Sequence, residues 1–132
     1  MILVDTSVWI DFFRSHRGAA SLHLATLIRG QNRVCICGLI RQEILQGIHH
    51  PQELAHTLRF LRQLPFLNTR AVTYDRAAEL FRLVARHGTQ IPTVDATIAA
   101  IAIEHTVPLF TLDRRHFFAI AQMAPLHLYE VE

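Results

Sequence analysis

Four carboxylates carry the chemical interest of this chain: Asp5, Glu43, Asp95 and Asp113. Asp5 directly follows Ile2, Leu3 and Val4, a run that reads as a short strand buried on both faces. Asp113 closes VPLFTLD, a second two-sided apolar run, with Thr111 two residues before it. Asp95 falls in the first turn after Pro92 and Thr93, a helix-start signal, and Glu43 lies in the helix after VCIC, within about two turns of its start. Gathered in one place, ionised carboxylates repel by about 4 kcal/mol per pair at 4 Å and an effective dielectric near 20. A fold keeps such a group only around a cation or with some protons retained. All-oxygen donors suit a hard divalent ion, Mg²⁺ or Mn²⁺, which keeps waters that can be activated and neutralises charge on a phosphate. That is the machinery of phosphodiester hydrolysis. Each acid also has an ordinary explanation: Asp95 favours a helix dipole by ~0.3–1 kcal/mol, Asp5 and Asp113 suit turn caps, and Glu43 suits a solvated helix face. The joint pattern is what separates the readings.

The elements that must position these acids alternate along the chain. ILV reads as a first strand and SVWIDFFR as a helix capped by Thr6 or Ser7. A second helix spans Ala19 to about Ile28, with Leu22, Ala25 and Leu27 or Ile28 turned inward, and stops at Gly30. RVCICG is a strand, GLIRQEILQG a helix, and PQELAHTLRFLRQL a helix started by Pro51 with Leu54, Leu58, Leu61 and Leu64 on one side. An extended FLNTRAV leads to the helix YDRAAELFRLVARHG, ended by Gly88 at C′. IPTVDATIAAIAIEH is a buried helix capped by Thr93, VPLFTLD a strand, RRHFFAIA a short helix and LHLYEV a last strand. Strand–helix alternation predicts an α/β layer fold on a parallel sheet, wound right-handed. In such sheets ligands bind outside the carboxyl ends of the strands, where strand order reverses. Asp5 and Asp113 leave their strands at that edge, and Asp95 and Glu43 sit near helix starts that face it, so all four could line one pocket.

Composition narrows the class. Of 132 residues, 51% are hydrophobic and 18% charged, enough for one packed domain over 1–132 without staples. The net charge of +2 permits an anionic partner without demanding one. Cys35 and Cys37 stand two apart, on one face of a strand, which argues against both a disulfide and zinc and for reduced thiols in a cytoplasmic core. The start lacks a basic leader, and the greasy ATIAAIAI is too short to cross a bilayer, so no membrane role is expected.

Four motifs now stand in order: VDTSVWID, EILQG with Glu43, VDATIAAIAIEH with Asp95, and PLFTLDRRHF with Thr111 and Asp113. Together, from Leu3 to about Phe117, they resemble the PIN-domain family, and within it the VapC-type ribonuclease toxins of bacterial toxin–antitoxin modules. The resemblance implies a PIN-like three-layer sandwich with a central, mainly parallel sheet of four to five strands flanked by helices. It makes Asp5, Glu43, Asp95 and Asp113 the metal-binding and catalytic quartet for Mg²⁺ or Mn²⁺, with Ser7 and Thr111 as supporting hydroxyls. It further implies endoribonuclease activity on RNA through a metal-activated water, leaving a 5′-phosphate and a 3′-hydroxyl, a homodimer, and a cognate VapB-type antitoxin whose C-terminal segment occludes the site. One departure is that Cys37 and Gly38 stand where many members have a Ser- or Thr-containing strand end.

Arg14, Arg17, Arg41, Arg114 and Arg115 lie near the ends of the motif-bearing segments and are candidate RNA-phosphate contacts, although a chain without lysine needs exposed arginines for solubility as well. His116 reads as a packing or surface residue in preference to a general acid, and Trp9, Phe12 and Phe13 as core or dimer contacts. The absence of lysine excludes phosphoaspartyl chemistry of the receiver or haloacid-dehalogenase kind, and no G-x-G-x-x-G follows any strand.

Overall fold

The apolar triplet Ile2–Val4 forms strand β1, and the carboxylate after it is where the chain turns into helix α1 (Thr6–Phe13). The structure is a computed structural model and describes residues 1–14, 17–30 and 33–131. Helix α2 (Ala19–Arg29) returns the chain to β2 (Val34–Cys37), and α3 (Gly38–Gln46) and α4 (Pro51–Leu61) lead to the two-residue β3 (Phe66–Leu67). The long α5 (Ala71–Arg86) and the apolar α6 (Thr93–Glu104) precede β4 (Leu109–Phe110) and α7 (Arg114–Ala121). Gly88, just past α5, has φ +95°, the left-handed C′ conformation that a side chain disfavours.

All four strands pair in parallel, in the order β3-β2-β1-β4, with Ile2 opposite Val34, Leu3 opposite Leu109 and Ile36 opposite Phe66. The chain therefore steps outward from β1 through β2 to β3, then returns past its start to add β4 on the other side. With right-handed crossovers, that reversal puts α1 to α4 over one face and α5 and α6 over the other, the expected three layers. The packing agrees: α1 contacts α2 and α3, and α3 contacts α4, whereas α5 contacts α6 and both contact α7. β1 is central, and Leu3 and Val4 are wholly buried. Trp9 anchors α1, stacked on Phe13 with centroids 5.7 Å apart and meeting Phe12 and Phe60 edge-on; Trp9 belongs to the core, and the half-buried Phe12 and Phe13 pack against it. Glu104, at the end of α6, accepts from Thr73 at 2.9 Å and pairs with Arg70 and Arg76, which locks α5 to α6.

Several boundaries differ from the sequence-based expectation. In α2 the inward residues are Ala20, Leu24 and Leu27, while Leu22 is 57% exposed. A short helix with leucines at 22, 24 and 27 admits two phases, and packing chose the i, i+4, i+7 stripe. Helix α4 ends at Leu61, short of Leu64. Helix α5 begins at Ala71, ahead of Tyr74, because the Arg70 N–H donates to Thr73 Oγ1 at 3.0 Å and closes the first turn early. LHLYEV is not a full strand: Leu128 makes only an isolated parallel bridge to Leu109, since β4 is two residues long and offers no further ladder. That tail is held by two backbone bonds to Leu109, whose N–H donates to His127 O and whose O accepts from the Tyr129 N–H, both at 2.8 Å, and by His23, whose Nε2 lies 2.7 Å from the Tyr129 hydroxyl.

Both cysteines are free and buried, and burial pushes the Cys35 thiol up to about 12. The native protein at pH 8 is therefore expected to resist a disulfide reagent such as DTNB, and to release two equivalents of thiolate on denaturation. Rapid labelling of the folded chain would contradict the burial.

Candidate active site

The reversal of strand order falls between β1 and β4, and the acids meet at the carboxyl ends of those two strands. Asp5 is the N-cap residue of α1 and Asp113 that of α7, yet neither side chain makes a capping hydrogen bond. A side-chain helix cap therefore accounts for neither, although Asp5 does accept the Thr6 backbone N–H. Asp5 Oδ2 instead accepts from Thr111 Oγ1 at 2.8 Å and from Ser7 Oγ at 3.2 Å, across the two connections. The same hydroxyls are tied to backbone: Leu112 N–H donates to Ser7 Oγ at 3.1 Å, and Asp113 N–H to Thr111 Oγ1 at 3.0 Å. Ser7 and Thr111 thus clasp the β1–α1 junction to the β4–α7 junction, which explains why neither Ser7 nor Thr6 caps α1.

Thr6 has its own task. Its Oγ1 donates to Glu43 Oε1 at 2.7 Å, fixing a carboxylate from α3 beside the start of α1. Asp95, in the first turn of α6, faces α7, where His116 Nδ1 lies 3.1 Å from Asp95 Oδ2 and 3.5 Å from Asp113 Oδ2. Asp95 and His116 are mostly covered, while the Asp113 side chain is 48% exposed and forms the open side.

The electrostatics join the four acids into one group. Burial raises the pKa of Asp5, the Glu43 charge adds to the rise, and the bonds from Thr111, the Thr6 backbone N–H and Ser7 restrain it. Burial also pushes Asp95 up to about 6, with the charges of Asp113 and then Asp5 adding to the effect and His116 opposing it. Asp5 thus feels Glu43, and Asp95 feels both Asp113 and Asp5. This is the unfavourable crowding that a cation relieves. The donor set fits a divalent ion: mutually repelling carboxylates dominate, and ligand atoms of Asp95, Asp113 and His116 all lie within 4.8 Å of one another.

The arginines divide. Arg14 ends α1 and lines a small hollow of about 90 Å³ with Phe13, Ile48 and Glu53. Arg17 and Arg115 are exposed and Arg41 half-exposed, while Arg114 Nη2 lies 2.7 Å from Glu130, which offsets part of its charge. Two residues of the cluster escaped the sequence reading. Thr6 looked like a cap, and His116 like a packing or surface residue. The available signal for His116 was its spacing, three residues after Asp113 at a helix start and so on the same face. Cys37, at the N-cap of α3, gives no side-chain cap, and burial raises its thiol pKa, with the Asp5 and Glu43 charges adding to the effect.

This geometry can be set beside known proteins. A family profile of the PIN domain matches residues 2–122. Ribonuclease VapC19 of Mycobacterium tuberculosis is 34% identical over 128 residues, covering 95% of this chain and 98% of its own. The VapC ribonuclease Mb1587 of Mycobacterium bovis is 33% identical over 108 residues, 80% and 81% of the two chains. Among solved structures, the fold matches a chain of VapBC2 from Rickettsia felis, bound to a DNA fragment from its promoter, with a TM-score of 0.79 at 22% identity over 98% of each chain. The motifs, the parallel sheet with its reversal at the acids, and these matches agree: the chain belongs to the PIN-domain family, among its VapC relatives.

Proposed function

We propose that the protein is a Mg²⁺- or Mn²⁺-dependent endoribonuclease, the toxin of a VapBC-type toxin–antitoxin pair. The observation that carries this reading is the crowding of acids at the β1/β4 switch point, where burial and then the charges of Asp113 and Asp5 push Asp95 up to about 6 and Asp5 in turn feels Glu43. Two relatives bear the name ribonuclease VapC, and the Rickettsia felis neighbour was solved as VapBC2.

In this reading Asp5, Asp95 and Asp113 hold the cation and Glu43, steadied by Thr6, completes the quartet. When bound, the cation supplies Lewis acidity, neutralising phosphate charge and acidifying water. The chain's own contribution is to hold these carboxylates by hydrogen bonds from neighbouring hydroxyls, Thr6 on Glu43 and Thr111 and Ser7 on Asp5. Ser7 and Thr111 hold Asp5 in place, and the half-exposed Asp113 leaves one side open to a phosphodiester. Hydrolysis in line at phosphorus gives a 5′-phosphate and a 3′-hydroxyl. Phosphate contacts from Arg14, Arg41, Arg114 and Arg115 belong to the same proposal. A homodimer, a cytoplasmic location and a VapB-type antitoxin that covers the site belong to the same reading, and among the described residues no helix is long and apolar enough to cross a membrane.

The direct test is incubation of the purified protein with single-stranded and hairpin RNA. Cutting in Mg²⁺ or Mn²⁺ that stops in excess EDTA is expected. Cleavage unaffected by EDTA, or RNA retained without any cutting, would overturn the proposal. Growth arrest on expression, relieved by a neighbouring gene's product, would test the toxin role.

A further inference from the structure

We propose that His116 is a direct nitrogen ligand of the ion held by Asp95 and Asp113, and that it tilts the site toward Mn²⁺ over Mg²⁺. The inference rests on the metal-dependent reading above and goes beyond it, since that reading assigns oxygen donors alone.

Three observations support it. His116 Nδ1 faces two carboxylate oxygens from different helices, 3.1 Å from Asp95 Oδ2 and 3.5 Å from Asp113 Oδ2. An octahedral ion with ligands at about 2.1 Å sets neighbouring donors roughly 3 Å apart, so the spacing is that of adjacent corners of one coordination sphere. A hydrogen bond to Asp95 alone would not require the second carboxylate to lie so close. Next, His116 stands three positions after Asp113, the N-cap residue of α7, and folds back onto it. A carboxylate and an imidazole at that spacing chelate one ion in di-iron and di-manganese carboxylate proteins. Finally, the ring is mostly covered, with 26% of the side chain exposed, so its nitrogen is held near the acids.

The donor chemistry sets the selectivity. Mg²⁺ prefers oxygen and water and parts reluctantly with its hydration shell. First-row transition ions accept imidazole nitrogen readily, so one nitrogen among carboxylates moves the balance toward them.

The experiment loads the full-length protein with Mn²⁺ and records pulsed EPR (electron spin echo modulation), with natural-abundance and ¹⁵N-histidine-labelled protein. Directly bound nitrogen gives strong ¹⁴N modulation that changes on labelling, and this is the expected result. His116→Gln is expected to remove that modulation and to weaken Mn²⁺ binding about tenfold in calorimetry, while Mg²⁺ binding changes by less than about threefold. His105→Gln, at the C-terminal end of α6 ten residues and so about 15 Å beyond Asp95, serves as the control and keeps the wild-type spectrum. Bound Mn²⁺ without nitrogen modulation in the wild type would overturn the ligand assignment and leave the metal-dependent reading standing. No Mn²⁺ binding at all would overturn both. The wild-type spectrum is decisive even if the glutamine variant fails to fold, and equal weakening of both ions in that variant would overturn the claimed selectivity.

Discussion

Asp95→Asn is expected to slow RNA cleavage by about 10²–10³-fold or more and, in the same protein, to raise the melting temperature measured without metal. The first effect follows from losing an anionic ligand whose charge the reaction needs. The second follows from the burial of the Asp95 charge and then from its crowding by Asp113 and Asp5. The Asp95 carboxyl titrates at about 6 in the folded chain against 3.8 for the free group, so the folded state binds its proton more tightly than the unfolded state. The resulting stabilisation is fully present below pH 3.8 and is lost as pH rises through 6, leaving the ionised form under strain at neutral pH. The gap corresponds to at most about 3 kcal/mol, and solvent reaching the site reduces it toward ~1–2 kcal/mol. Asparagine keeps the shape and removes the charge. Melting curves at pH 8 and pH 4 check this: the variant should lead at the higher pH and lose its advantage at the lower. Added Mg²⁺ should stabilise the wild type and not the variant. A lower melting temperature for the variant at pH 8 without metal would mean that the ionised Asp95 is not destabilised by its burial and neighbours.

The second large effect is expected from Thr111→Val. Thr111 is 4% exposed, and its hydroxyl donates to Asp5 while accepting the Asp113 N–H. Valine fills the same space and breaks both bonds, leaving a backbone N–H and a buried carboxylate short of a partner. A loss of about 2–3 kcal/mol in denaturant unfolding is expected. The pKa of Asp5, for which the Thr111 bond is the largest restraint, should rise further, so the pH profile of cleavage should shift to higher pH. Thr111→Ser retains the hydroxyl and should recover most of both. If valine changed stability but left the pH profile in place, Thr111 would be a packing residue and nothing more.

The acids were legible because strand ends announce themselves. Two-sided apolar runs such as ILV and VPLF could only be interior strands, and whatever polar residue follows such a strand must emerge at the binding edge. Asp5 and Asp113 came directly from that rule, and Asp95 from the Pro92 and Thr93 boundary, although Pro92 turned out to be the N-cap. What the sequence concealed were pairings between side chains that have more than one plausible partner. Thr6 is a good cap by type, and only the arrival of Glu43 from α3 shows that its hydroxyl is committed elsewhere. His116 suits a helix surface equally well until α6 places Asp95 against it. The phase of α2 and the fate of LHLYEV failed for a related reason: each depends on how much neighbouring surface is available, which a local pattern does not encode.

The strand order has a consequence for how this protein comes into being. β1 and its sheet neighbour β4 are separated by more than a hundred residues, so β1 is made well before the strand that Asp113 and His116 follow. A half-made chain holds Asp5 and Glu43 without the opposite wall. The acidic edge of the sheet is thus completed only once β4 and the start of α7 have been made, long after the strand that carries Asp5.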